Sequence, residues 1–456
     1  MIRKWMMTGA GLFLVALFFG VGAGKLQAAP QAPAAGAQDP TKLCYTLPEY
    51  NAYKDADGEA NPQQKITKLD SFAKQYPNSC MMPYIYPDYY KSYIALKNFA
   101  QAIEYADRQN ALGDKIDTAG HLDAYYYRAT AFYLCSNDKA CQTPEMLTKA
   151  RDSAAQGLKT LDDFKKPEAM AQDQYTAAVK TYKTAFTTIA AMASMSVKDY
   201  ASAATYYKGL VAIDPTNATS HYSLGVAELT MNPPAAADGF WELARAIALK
   251  VPNASAVQTY LKNRLIQYQG GGVACNNLVD EQVSTLLTLA AGSGDRPATL
   301  TIPSAADLQK ALADTENFIP VLKAGGDAAK VMWLASCGQE YPDVGVYAME
   351  NAAAEGDGVS IKVYRPSTVD PDAAQKEMEA ATEPNMLIKI VGQPEASRIQ
   401  KSDPFRFTGT LSAYSQSPFL LTWDKAKINA EDLPAEKAAP GKKAPAKKAP
   451  AKKAPG

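Results

Sequence analysis

Along residues 43–268 apolar positions recur at steps of three and four, the spacing that gathers them on one face of an α-helix. Tyr200, Ala203, Tyr207, Leu210 and Ile213 form one such stripe; it ends in a helix-stopping Pro215 and a polar Asn217, and a fresh helix begins near Thr219. Leu224-Gly225 lies on that next helix, and a partner carries Ala237, Trp241 and Ala244. Upstream, a short helix around Tyr50 to Lys54 pairs with one opening at Asn61-Pro62, where Asn caps, Pro takes the first turn and Gln64 can complete a capping box. Its stripe is Ile66, Leu69, Phe72 and Ala73. A second pair follows with Tyr86, Tyr89 and Tyr93 facing Phe99, Ala102 and Ala106. The third sets Tyr125, Ala129 and Phe132 against Leu147, Ala150, Ala154 and Leu158. The fourth runs from Gln172 to Asn217, the fifth ends at Pro252, and Val257 to Tyr268 forms a capping helix.

Gly270-Gly271-Gly272 marks a boundary, because three consecutive glycines carry a large entropic penalty inside a helix. Helical spacing resumes at Asp280–Ala291, Ser304–Ala313, Asn317–Lys323 and Ala328–Ser336. After Gly356 the period becomes two, in Val359–Val363, Met386–Ile390, Phe405–Leu411 and Phe419–Trp423. Such short strands with turn-rich links predict a small antiparallel barrel or sandwich, with Pro371 to Glu383 as a helix crossing between strands.

Ala203 and Ala237 stand 34 residues apart, and a large aromatic, Tyr207 or Trp241, follows each by four. On these residues the stretch 184–252 resembles the tetratricopeptide repeat, whose period is 34, and 43–163 resembles it more loosely. The resemblance implies an α-solenoid of helical hairpins that binds other molecules rather than transforming them. The Phe405-x-Phe407-x-Gly409-Thr-Leu411 strand and its return strand look like a small barrel of the oligonucleotide/oligosaccharide-binding type.

The amino terminus has Arg3-Lys4, an apolar run from Leu12 to Phe19 and small residues near Leu26-Gln27-Ala28, the layout of a secretory signal peptide. An uncleaved anchor is the other reading, and five glycines between Gly9 and Gly24 count against it. The formal net charge is zero, yet of 47 basic residues three lie in or beside that segment and seven in the tail, leaving 37 against 47 acids. The body is therefore acidic and the tail cationic, with Lys442, Lys443, Lys447, Lys448, Lys452 and Lys453 set among prolines that prevent a helix. Such a tail suits an anionic envelope polymer or membrane surface, and equally a solubilising spacer. Six cysteines in an exported chain suggest disulfides. Of fifteen pairings, hairpin geometry favours Cys44–Cys80 and Cys135–Cys141, which leaves Cys275–Cys337.

Catalytic chemistry has little material. His121 and His221 lack a second ligand at metal spacing, no phosphate-cradling Gly-rich motif exists outside the signal region, and Asp55-Ala-Asp57-Gly58 misplaces the glycine of a calcium loop. No catalytic residue, metal or cofactor is expected. The positive signal is 26 tyrosines, many on first helices of the hairpins. Their rings suit binding because they carry large area with little rotamer freedom to lose. Tyr84, Tyr90, Tyr126, Tyr175 and Tyr182 are the groove candidates.

The chain is thus expected to be mainly α: a signal peptide (1–28), a leader (29–42), a repeat domain (43–268), a helical region (273–356), a small antiparallel β-barrel (357–430) and a Lys/Ala/Pro-rich tail (431–456). The expected function is a non-catalytic, periplasmic or secreted adaptor for a protein or extended peptide. The alternative is an envelope-polymer or nucleic-acid binder using the barrel and tail, nucleic acid being the weaker partner.

Overall fold

The computed structural model describes residues 44–168, 170–271, 275–314, 317–356, 358–368 and 370–434. The expected signal segment, the whole leader and all six tail lysines named above lie outside them. The described residues form sixteen α-helices, three short 3-10 turns and a carboxy-terminal mixed sheet. They divide into two compact units, residues 1–261 with 286–300 and residues 262–285 with 301–456.

In the first unit the helices are α1 (Leu47–Asp57), α2 (Pro62–Gln75), α3 (Met82–Ala95), α4 (Phe99–Asn110), α5 (Thr118–Cys135), α6 (Met146–Asp162), α7 (Gln172–Ser196), α8 (Tyr200–Ile213), α9 (Ala218–Thr230) and α10 (Ala236–Ala248). Two more, α11 (Ala254–Tyr268) and α12 (Asn276–Gly292), follow on either side of the glycine run, and the division into units passes through both. Each helix from α1 to α9 packs on its successor, and α1 also meets α3, α3 meets α5, and α5 meets α7.

Local chemistry sets these helices. The side chains of Asn61, Asn98, Asp117, Asp199 and Asn217 each accept from a backbone N–H of the first turn that follows. At Asn61 the capping box expected from Gln64 is replaced, since the Asn61 N–H donates to Glu59 Oε1 at 3.0 Å. Lys97 and Lys198 sit in the left-handed region (φ 60° and 66°), each just after a helix and just before the Asn98 or Asp199 cap. The N–H of Asn98 donates to Tyr93 O at 2.8 Å and that of Asp199 to Ser194 O at 2.9 Å, so two hairpins turn by the same device. Pro87 lies inside α3 and cannot donate to the Pro83 carbonyl. Gln109 of α4, fully buried, supplies the missing donor from its side chain at 3.2 Å.

Leu224 packs with Ala203, Ala204, Tyr207, Leu210 and Ala227 between α8 and α9. The close approach of α9 and α10 falls not at Ala237, which is only half-buried, but at two glycines. A Cβ on Gly225 would stand 2.7 Å from Gly239 O, and one on Gly239 2.7 Å from Leu229 Cγ.

The second unit contains α13 (Ala305–Ala313), α14 (Phe318–Ala324), α15 (Gly326–Ser336) and α16 (Pro371–Ala380), with strands β1 (Glu340–Ala348), β2 (Ala353–Glu355), β3 (Gly358–Tyr364), β4 (Met386–Val391), β5 (Pro404–Gln416) and β6 (Phe419–Ile428). The order is β1-β5-β6-β4-β3-β2, and β1 also pairs with β3 through Tyr347↔Tyr364 and Ala348↔Val363. Two corrections to the expectation follow. The sheet is mixed rather than antiparallel, because β6, after its hairpin with β5, lies parallel to β4. Residues 273–356 are not all helix: β1 and β2 lie there, and β1 is masked in sequence by Pro342 and by a bulge at Asp343 (φ 52°), so only Val344, Val346 and Ala348 alternate inward. The interior gathers Ile361, Val363, Ile388, Phe407, Leu411 and Trp423, with Leu322, Ala329 and Met332 from α14 and α15.

All three cysteine pairs are bonded: Cys44–Cys80, Cys135–Cys141 and Cys275–Cys337. Three disulfides fit an oxidising compartment.

Candidate functional site

Helices α3, α5 and α7, alternate members of the packing order, bring tyrosines to one carboxylate. Asp123 on α5 accepts from the Tyr90 hydroxyl at 2.8 Å, and Lys91 Nζ, also on α3, lies 2.9 Å from the same oxygen. Tyr182 of α7 lies close enough for the Asp123 charge to act on its phenol. The Lys91 ammonium stands 5.8 Å from the centre of the Tyr90 ring and 5.2 Å from that of Tyr127, within cation–π range of both. Tyr126 packs in T-shaped pairs with Tyr127, Tyr182 and Phe186, ring centres 5.0–6.3 Å apart. Burial pushes the phenols of Tyr90, Tyr126, Tyr127 and Tyr182 upward, and the Asp123 charge adds to the rise. All four therefore remain protonated donors at neutral pH. The site is not sealed, since the Lys91 and Asp123 side chains are 34% and 17% exposed.

Of the five groove candidates, three converge here. Tyr126 is half-buried at the rim, whereas Tyr90 and Tyr182 are buried in the core, and Tyr90 meets the site through its hydroxyl and the ring face that Lys91 covers. Tyr84 and Tyr175 lie elsewhere. Tyr84 sits against Tyr53, with ring centres 6.3 Å apart, and the Tyr175 hydroxyl donates to Phe164 O at 2.6 Å. The residues that sequence reasoning passed over are Lys91, Asp123 and Tyr127. A signal for them exists: Asp123 precedes Tyr126 and Tyr127 by three and four residues, one helical turn, and Lys91 follows Tyr90.

A second polar cluster joins α8, α9 and α10. Glu228 on α9 is buried, and its Oε1 lies 2.9 Å from the exposed Lys208 ammonium. Burial raises its carboxyl to about 7 while Lys208 opposes the rise. His221 bonds Glu242 through Nδ1 and faces Pro215 O through Nε2 at 3.0 Å. Burial depresses this imidazole, the two acceptors outweigh burial, and the net direction is up. His121 lies between Asn110 Oδ1 at 3.1 Å and Gly113 O at 3.2 Å. Among the described residues no group of three or more His, Cys, Asp or Glu side chains could hold a metal ion, and no helix is long and apolar enough to cross a membrane.

No family model, curated protein or solved structure matches the chain.

Proposed function

We propose that the chain is an exported, non-catalytic adaptor that holds an extended peptide or a segment of another protein against the first helices of a tetratricopeptide-like stack. The packing order supports the stack, because alternate helices touch through α1, α3, α5 and α7, as first helices of successive hairpins do. The observation that carries the binding role is the meeting of Lys91, Asp123, Tyr126 and Tyr127 on that series of helices, with a charged pair open to solvent among rings. Both imidazoles are engaged in contacts that brace helices, which favours binding over acid–base chemistry. The signal-like amino terminus and the three disulfides together favour a periplasmic or secreted location.

One observation favours a second reading. The pairings β1-β5-β6-β4-β3-β1 return to their start with β4 parallel to β6, which supports a five-stranded ring of the oligonucleotide/oligosaccharide-binding type and, with the cationic tail, an anionic polymer as ligand. Charge on the strands argues the other way. Lys362 pairs with Glu350, Lys389 with Glu355, and Arg406 with Glu431 and Asp432.

Salt separates the two readings. Binding of extended peptides, followed by fluorescence anisotropy, is expected to survive high salt and removal of residues 435–456, and to fall when Tyr126 and Tyr127 are replaced by leucine. Binding of a polyanion that collapses with salt and with loss of the tail, beside peptide binding indifferent to both tyrosines, would reverse the assignment.

A further inference from the structure

The geometry points to a more specific role for Asp123: with the faces of Tyr90 and Tyr127 it forms a subsite for the ammonium of a lysine side chain on a bound peptide, and Lys91 occupies that subsite from within the chain. This rests on the peptide-binding reading above and adds the chemical class of the residue recognised.

The elements of an ammonium site are all present. A carboxylate supplies the counter-charge, two rings lie within cation–π range, and the cation already there is a primary ammonium 2.9 Å from Asp123 Oδ2. That distance requires an N–H donor, so trimethyl-lysine fits poorly. The Tyr90 hydroxyl and the Lys91 ammonium converge on the same oxygen, an arrangement that suits a point charge better than the two-pronged fork of arginine. Lys91 is a weakly held occupant. Its side chain is one-third exposed, so the ammonium can swing into water without unfolding, leaving Asp123 to a competing lysine. Tyr90 keeps its hydroxyl on Asp123 and holds the carboxylate in place when the cation is exchanged.

Variants of opposite sign test the exchange. The full chain is titrated with an extended Ala/Pro heptapeptide carrying one central lysine, and with versions carrying norleucine, arginine or trimethyl-lysine there. The lysine peptide is expected to bind the unaltered chain about tenfold more tightly than the norleucine peptide. Lys91→Met removes the internal competitor and is expected to tighten the lysine peptide roughly five- to tenfold. Lys91→Arg retains a competitor and is expected to tighten it little, and Asp123→Asn is expected to abolish the preference for lysine. Thermal unfolding of each variant separates loss of fold from loss of recognition. A purely structural ion pair gives weaker or unchanged binding in Lys91→Met, and that result overturns the subsite. If lysine and norleucine peptides bind alike and Tyr127→Leu weakens both, the face binds peptide but the subsite is refuted. If no peptide binds either the unaltered chain or Lys91→Met, both readings fall.

Discussion

Gly225 and Gly239 are where a single methyl group decides how closely two helices pack. Gly225→Ala would drive a Cβ to 2.7 Å from Gly239 O and 2.9 Å from Leu243 Cγ, with backbone on one side and buried leucine on the other. The expected loss is about 2–3 kcal/mol, read as a lower midpoint in chemical unfolding. Gln109→Leu leaves the Pro83 carbonyl without its donor and is expected to lose about 1–2 kcal/mol by the same assay. Glu228 predicts a pH effect. Its folded value of about 7 lies above its ordinary 4.5, so the folded chain retains a proton that the unfolded chain releases between the two. The stability this contributes is full below 4.5 and is lost as pH rises through about 7. His221, raised above 6.5, acts in the same sense: its contribution is full below 6.5 and is lost as pH climbs through the higher folded value. Glu228→Gln removes the first effect and is expected to stabilise the chain by about 2 kcal/mol near pH 8, with little change near pH 5, in unfolding curves at both pH values. An equal shift at both pH values would contradict the ionisation of Glu228. At this scale the sequence is legible only in part. Ala203 is buried as its spacing implies, but Gly225, Glu228 and Asp123 gain their meaning from residues on neighbouring helices that no local period reveals.

Elements were easier to read where one face alone is buried. The helices from α1 to α11 follow the three-and-four spacing of apolar positions, and β3 to β6 follow alternation. Strand β1 escaped because Pro342 and the bulge at Asp343 break the period before Val344. The parallel pairing of β4 and β6 escaped for another reason: alternation reports which face is inward, not which strand is neighbour or in what direction it runs. The disulfides act at the same scale. Cys44–Cys80 spans 36 residues and ties the approach to α1 to the residue pair just before α3. Its removal in Cys44→Ser/Cys80→Ser is expected to lower stability by about 3–4 kcal/mol on the loop-entropy model and to quicken hydrogen exchange in α1 and α2. Unchanged exchange there would mean that the apolar contacts of Tyr53, Leu69, Phe72 and Ile85 hold these helices unaided.

At the scale of the whole molecule, two units with separate interiors present different chemistry. The helical unit offers tyrosines around a half-open ion pair, and the sheet unit offers strands on which Lys362, Lys389 and Arg406 are matched by carboxylates. The proposed adaptor uses the first of these surfaces. Site-specific crosslinking in the intact protein tests this most directly, with a photo-reactive phenylalanine analogue at position 91 on α3 or at position 427 on β6. The account predicts a discrete polypeptide captured from position 91, retained at high salt and without residues 435–456, and lost when Asp123→Asn and Tyr127→Leu are added. Capture confined to position 427, or capture from position 91 indifferent to Asp123 and Tyr127, would contradict it.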